Sequence, residues 1–192
     1  PGLDGLTSEF YKHFWNIIGK LVTDSLNEGY MKNELSASQK LGVLSLSYKK
    51  GDPHCLENWR PITLLNNDYK IAAKVLSNRI QKVIHKIINS DQQGYIKNRF
   101  IGNNIRQIQD IIDYAEKLQI ESAILFLDFR KAFDTVEWTF MFSALKHFGF
   151  KDMFINWIKT MYSNIKTCIL NNGWRSQCFN LQRGIRQGCP IS

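Results

Sequence analysis

A chain of 192 residues, 44% hydrophobic and 12% aromatic, holds enough apolar material to bury a core as one large domain or two small ones, which excludes a disordered tail. Its 25 Lys+Arg against 17 Asp+Glu give +8 and a pI near 9.3, a balance that favours a polyanionic partner, although a membrane face or mere solubility draws on the same charge. Four cysteines without a C-x-x-C pair and four scattered histidines suggest neither a zinc site nor a disulfide framework but reduced thiols in an intracellular protein, and no apolar stretch approaches the roughly 18 residues of a membrane span.

After the turn-like Pro1-Gly2-Leu3-Asp4-Gly5, which does not resemble a signal peptide, Thr7 or Ser8 can cap a helix ending near Gly29. Phe10, Phe14, Ile17 and Leu21 fall at helical spacing and form its expected core face. Leu44 to Tyr48 alternates with period two and reads as a half-buried strand, broken by the turn Lys49-Lys50-Gly51-Asp52-Pro53; a second strand, Trp59 to Leu65, follows. Asn66 or Asn67 then caps the strongest helix, with Ile71, Val75, Leu76, Ile80, Val83, Ile84 and Ile87 on one side and its lysines largely off it.

A polar loop, Ser90 to Gly102, leads to another amphipathic helix through Ile105, Ile108, Ile111, Ile112 and Ala115. The apolar run Ile124-Leu125-Phe126-Leu127 reads as a strand ending on Asp128. A helix from about Thr135 to His147, closed by Gly149, and a helix through Trp157 and Met161 come next. Ile165–Leu170 and Trp174–Leu181 flank Asn171-Asn172-Gly173, a strong hairpin signal. Strand, helix, helix and hairpin in that order imply an α+β fold with helices on one face of the sheet.

In strand geometry Ile124, Phe126 and Asp128 share one face. A carboxylate beside apolar neighbours needs a cation, a metal or several donors, unless Asp128 merely follows the strand as a turn or cap residue. Asp134 has a structural explanation in the capping-box spacing Asp134-Thr135-Val136-Glu137, and Phe133 taken alone reads as a core aromatic.

Five stretches together resemble the reverse transcriptases of non-LTR retrotransposons, the long interspersed elements. They are PGLDGLTSEFYKHFW, LSLSYKKGDPHCLENWRPITLLNNDYKIAAKVLSNRI, DQQGYIKNRFIGNNI, FLDFRKAFDTV and GIRQGCPIS, in the order that family carries them and from near residue 1 to the end. The resemblance implies right-hand polymerase fingers and an incomplete palm built on an antiparallel sheet, with residues 1–120 as fingers including an N-terminal extension and 121–192 as partial palm. It implies transfer of a nucleotide from dNTP to the 3′-hydroxyl of a DNA primer on an RNA template, helped by two Mg²⁺ ions.

By position, Asp128 matches the family's first metal-binding aspartate, and the Phe129 carbonyl would add an oxygen ligand. Phe133 matches an aromatic beneath the incoming sugar. Arg60 matches the fingers arginine over base and triphosphate, with Lys49 or Lys50 reaching the phosphates, and Gln187 and Gly188 match the block lining nucleotide and template. Arg183 and Arg186 are implied phosphate contacts, while Gln93, Gly94, Tyr95, Arg99 and Asn103 match a block that touches template. Pro190 suits the first turn of a helix.

The departures are Ser47-Tyr48 before Lys49, where relatives often carry a proline-bearing turn, and Arg99-Phe100 in place of a glycine-rich tip. The adjacent pair of palm aspartates is expected after Ser192, so the chain reads as a fragment that does not polymerise alone. The competing readings are a non-catalytic nucleic-acid-binding relative and a group II intron maturase-like protein. The family implies a ribonucleoprotein in nucleus and cytoplasm, no membrane partner, and leaves the oligomeric state open.

Overall fold

The computed structural model describes residues 1–192. In chain order its elements are α1 (Ser8–Met31), α2 (Ala37–Lys40), β1 (Leu41–Tyr48), a 3₁₀ turn (Leu56–Asn58), β2 (Trp59–Leu65), α3 (Asn67–Gln81), α4 (Ile84–Ile87) and α5 (Gly102–Lys117). There follow α6 (Ala132–Thr135), α7 (Trp138–His147), α8 (Asp152–Tyr162), β3 (Lys166–Asn171), β4 (Trp174–Arg175) and β5 (Phe179–Asn180). They fall into two compact units, one made of residues 1–76 and 131–192, the other of residues 77–130.

The first unit is built on a five-stranded sheet in the order β2-β1-β3-β4, with β5 also paired to β3. β1 and β2 form an antiparallel hairpin from Tyr48 opposite Trp59 to Gly42 opposite Leu65. β1 runs parallel to β3, from Leu41 opposite Lys166 to Ser45 opposite Leu170, so the sheet is mixed where an antiparallel one was expected. The cause is the connection: β1 and β3 are joined by a long helical crossover, which is what parallel neighbours require. The Asn-Gly hairpin forms as its residues dictate, Asn172 and Gly173 both taking positive φ (49° and 82°) between β3 and β4.

The core gathers Leu65 at the end of β2, Tyr69, Ala73 and Leu76 on α3, Ile158 and Met161 on α8, and Ile165 before β3, none of them more than 3% exposed. Burying each large side chain contributes about 1.5–3 kcal/mol. On α3 the buried stripe is Tyr69, Ala72, Ala73 and Leu76, at i, i+3, i+4 and i+7. The expected stripe through Ile71 and Val75 is displaced, Val75 being 45% exposed, because two alanines let neighbouring elements come closer than isoleucine or valine would. The helix also stops at Gln81, before the separate turn of α4.

α1 starts where the sequence indicates, Thr7 Oγ1 accepting from Phe10 N at 3.3 Å. Its inward face differs: Ile17 and Leu21 are 74% and 69% exposed, whereas Tyr11, Gly19, Leu26 and Gly29 are buried. Close approach again outranks side-chain size, since a Cβ at Gly29 would stand 2.9 Å from Leu35 Cδ2.

The helix expected from Thr135 to His147 is two helices, α6 and α7. The expected capping box is absent, for Glu137 is the N-cap residue of α7 and makes no side-chain cap bond. Thr135 Oγ1 instead bonds back to the carbonyls of Lys131 and Ala132, closing a single turn that begins at Lys131 with φ 51°. Residues 190–191 form a turn, not the helix start expected at Pro190.

In the second unit α5 carries no buried residue, and the segment 120–129 is irregular where a strand was expected. Leu125, Phe126, Leu127 and Phe129 are each at least 76% exposed. The reason is the missing ladder: each of β1 to β5 pairs elsewhere, and an apolar run becomes a strand only against a neighbour.

Candidate nucleotide and template site

Three stretches of the first unit meet at the outer edge of the sheet. β2 is an edge strand, and its free side is met by the chain at Gln187, whose carbonyl accepts from Thr63 N at 2.7 Å. Gly188 lies against the same strand with φ 103°, and a Cβ there would be 2.9 Å from Thr63 O. Only glycine meets both conditions without strain.

The residues just before Gln187 are tied to the turn of α6 and the start of α7. Ile185 N donates to Phe133 O at 2.9 Å and Gly184 N to Val136 O at 2.8 Å. Trp138 Nε1 donates to Gly184 O at 2.9 Å, and Gln187 Nε2 donates to Asp134 Oδ1 at 3.1 Å. Arg183 pairs with Glu137 at 3.6 Å, an exposed ion pair that contributes little. Gly184 has φ 81°, and a Cβ there would fall 2.7 Å from Asp134 O, so this junction too is written for glycine.

The structure therefore brings Phe133, Gln187, Gly188 and Arg183 into one junction against β2. Arg60 lies on the same strand, exposed and three residues from Thr63, roughly 10 Å along it. Lys49 and Lys50 are exposed in the β1–β2 connection, which Lys49 N closes onto Asn58 O at 2.9 Å. Tyr48 OH on Gly51 O and Trp59 Nε1 on Pro53 O pin the same loop, so its basic end stands on a braced hairpin.

Arg186 does not face outward as expected. It is 3% exposed, its guanidinium donates to Lys40 O and Met161 O, and it lies 4.3 Å from the centroid of the Tyr69 ring. The charge is held inside by two carbonyls and an aromatic face, which makes it a core residue and not a strand contact. The phenols around it respond to the same interior. Burial drives Tyr69 well above the ordinary tyrosine range and pushes Tyr162 up to about 12.

In the second unit the loop residues Gln93, Gly94, Tyr95 and Arg99 lie together before α5, with Asn103 in its first turn. Tyr95, at φ 63°, is 93% exposed and Asn103 is exposed, whereas Gln93 Nε2 folds back onto Ser90 O at 2.6 Å. Arg99 is committed inward: Nη1 donates to Asn89 O and Gln92 O, and Nη2 to His85 O and Ile88 O. It braces the loop with the donors that a phosphate contact would need.

Asp128 and Phe129 are exposed on the irregular segment of that unit. Nowhere in the chain do three His, Cys, Asp or Glu side chains gather as metal ligands. One exposed carboxylate and one backbone carbonyl do not fit a two-ion centre, which needs several fixed oxygen ligands.

Sequence reasoning read Asp134 as a helix cap and passed over Thr63, Trp138 and Gly184. The available signal was the pair Gly184 and Gly188 flanking Arg186-Gln187, since glycines bracketing a polar segment mark close backbone approach.

Residues 48–192 match the family described as reverse transcriptase (RNA-dependent DNA polymerase). Over 193 aligned residues the chain is 39% identical to the transposon TX1 uncharacterized 149 kDa protein of Xenopus laevis, matching all of this chain and 15% of that protein. It is 26% identical to the retrovirus-related Pol polyprotein from type-1 retrotransposable element R2 of Popillia japonica, covering 26% of it. It is 25% identical to the putative 115 kDa protein in type-1 retrotransposable element R1DM of Drosophila melanogaster, covering 18% of it. The chain thus spans less than a third of each of these relatives. It belongs to the reverse transcriptase (RNA-dependent DNA polymerase) family, in the branch carried by non-LTR retrotransposon polyproteins.

Proposed function

We propose that the chain supplies the fingers and part of the palm of a retrotransposon RNA-directed DNA polymerase, residues 1–120 as fingers and 121–192 as partial palm. The observation that supports this best is the junction at β2, where Phe133 and the Arg183–Gly188 segment are tied together beside the strand that carries Arg60. In this reading Arg60 and Lys49 or Lys50 hold the phosphates of an incoming dNTP, and Phe133, Gln187 and Gly188 line its sugar and base. A cation near 4 Å is worth about 4 kcal/mol at an effective dielectric of 20 and about 1 in water, so the exposed lysines act fully only when closure removes solvent.

Gln93, Gly94, Tyr95, Asn103 and Arg183 contact the RNA template. Asp128 and the Phe129 carbonyl would hold a Mg²⁺ ion only together with further carboxylates that do not gather around them here, and the ion would supply charge stabilisation at the phosphates. The chain alone is accordingly inactive, while the complete protein extends a DNA primer and works as a ribonucleoprotein in nucleus and cytoplasm.

Primer extension on an RNA template with Mg²⁺ tests this. The isolated chain gives no product, the complete protein does, and Asp128→Asn in the complete protein abolishes it. Extension by the isolated chain, or full activity of the complete Asp128→Asn protein, overturns the assignment.

A further inference from the structure

We propose that Asp134 is a positioning residue that sets which end of the Gln187 amide faces the nucleotide, an inference that rests on Gln187 lining the nucleotide. A carboxylate only accepts hydrogen bonds, so the arm of Gln187 that meets Asp134 Oδ1 at 3.1 Å is its NH₂ group. The ambiguity that ordinarily attends a glutamine amide is removed by the chemistry of its neighbour. The other arm, Oε1, takes no hydrogen bond within the chain and is not sealed in the interior. Gln187 therefore presents a carbonyl oxygen to the ligand and recognises a donor group on the nucleotide.

The clamp is rigid at both ends. The Gln187 backbone is held on β2 through Thr63 N, which leaves its side chain little freedom to swing. Asp134 is half-buried in the one-turn α6, whose neighbours Phe133 and Val136 receive the amides of Ile185 and Gly184. Gly184 lies so close to the Asp134 carbonyl that the aspartate backbone has no room to retreat. Such fixation of a contact residue by its neighbour acts through binding geometry and not through the chemical step.

The test is steady-state primer extension by the complete retrotransposon protein carrying these residues. Asp134→Ala frees the amide to turn, and the KM for dNTP rises about ten-fold with kcat little changed. Asp134→Asn, isosteric but able to offer Gln187 either a donor or an acceptor, raises KM by a smaller factor and serves if the alanine variant folds poorly. Gln187→Ala raises KM as well, and the double variant Asp134→Ala/Gln187→Ala is no worse than Gln187→Ala alone.

If Gln187→Ala leaves KM untouched, the placement of Gln187 at the nucleotide falls and this inference with it. If Gln187→Ala raises KM while both Asp134 variants leave it unchanged, the placement stands and the positioning role is overturned. Losses that add in the double variant overturn it too, because Asp134 would then act through something other than the glutamine.

Discussion

The guanidinium of Arg186 lies over the ring of Tyr69, 4.3 Å from its centroid, and the two side chains are 3% and 0% exposed. An arginine between Ile185 and Gln187, in a family that binds nucleic acid, invites assignment to a phosphate. Here its charge instead joins the C-terminal segment to α3, α8 and the residue before β1.

Arg186→Ala leaves Lys40 O and Met161 O without their donor and opens a void above the tyrosine. We expect a loss of about 3 kcal/mol, read as a lower urea midpoint of the 192-residue chain. Arg186→Lys keeps the charge but not the planar fork, and recovers less than half of the loss.

Gly184 and Gly149 share a φ of 81° but not their surroundings, because a Cβ at Gly149 meets nothing within 4 Å. Gly149→Ala should therefore cost only the strain of a left-handed alanine, about 1 kcal/mol. Gly184→Ala adds a clash with the Asp134 carbonyl and should cost about 2–4 kcal/mol. Thermal unfolding of the two variants side by side checks the order, and equal losses would show that the Asp134 contact is not made.

Alkaline unfolding follows from the buried phenols. Tyr162 is raised to about 12 and Tyr69 is raised well above the ordinary tyrosine range, both by burial, so each stays protonated in the folded chain after it would ionise in the unfolded one. The unfolded state binds fewer protons above pH 10, and stability falls from there. Tyr162 alone accounts for about 1.4 kcal/mol per pH unit between about 10 and 12, and Tyr162→Phe should flatten the slope.

Arg99→Ala removes the donors that hold the carbonyls of His85, Ile88, Asn89 and Gln92. Amide exchange in the loop 85–95 should rise by at least ten-fold, while exchange in β1 and β3 stays unchanged. Arg99→Lys, a single ammonium on a flexible stem, cannot span four carbonyls and should not restore protection.

The elements with strong local signals were legible from the sequence: the Thr7 cap, the β1–β2 hairpin and the Asn-Gly turn all stand where their residues put them. What escaped was everything decided by distant partners. Whether α3 buries Val75 or Ala72 depends on how closely other elements approach, and whether residues 124–128 become a strand depends on a neighbouring ladder. In the candidate site, the sequence singled out Gln187 and Gly188, and both lie against Thr63 of β2. The inward turn of Arg186 and the link from Asp134 to Gln187 were not legible, because a buried guanidinium and a phosphate-binding one look the same in a string of letters.

The parallel pairing of β1 with β3 carries a kinetic consequence. Leu41 and Lys166 are partners across most of the chain's length, and Thr167 Oγ1 donates to Gly42 O over a separation of 125 residues. A ribosome must release the chain through β3 before the central ladder can close, so α1 and the β1–β2 hairpin wait with one sheet edge bare. Folding of this unit is governed by a late, long-range closure and is correspondingly slow. During that wait the bare edge of β1 is open to pairing with other chains, which makes it the place for a chaperone to act.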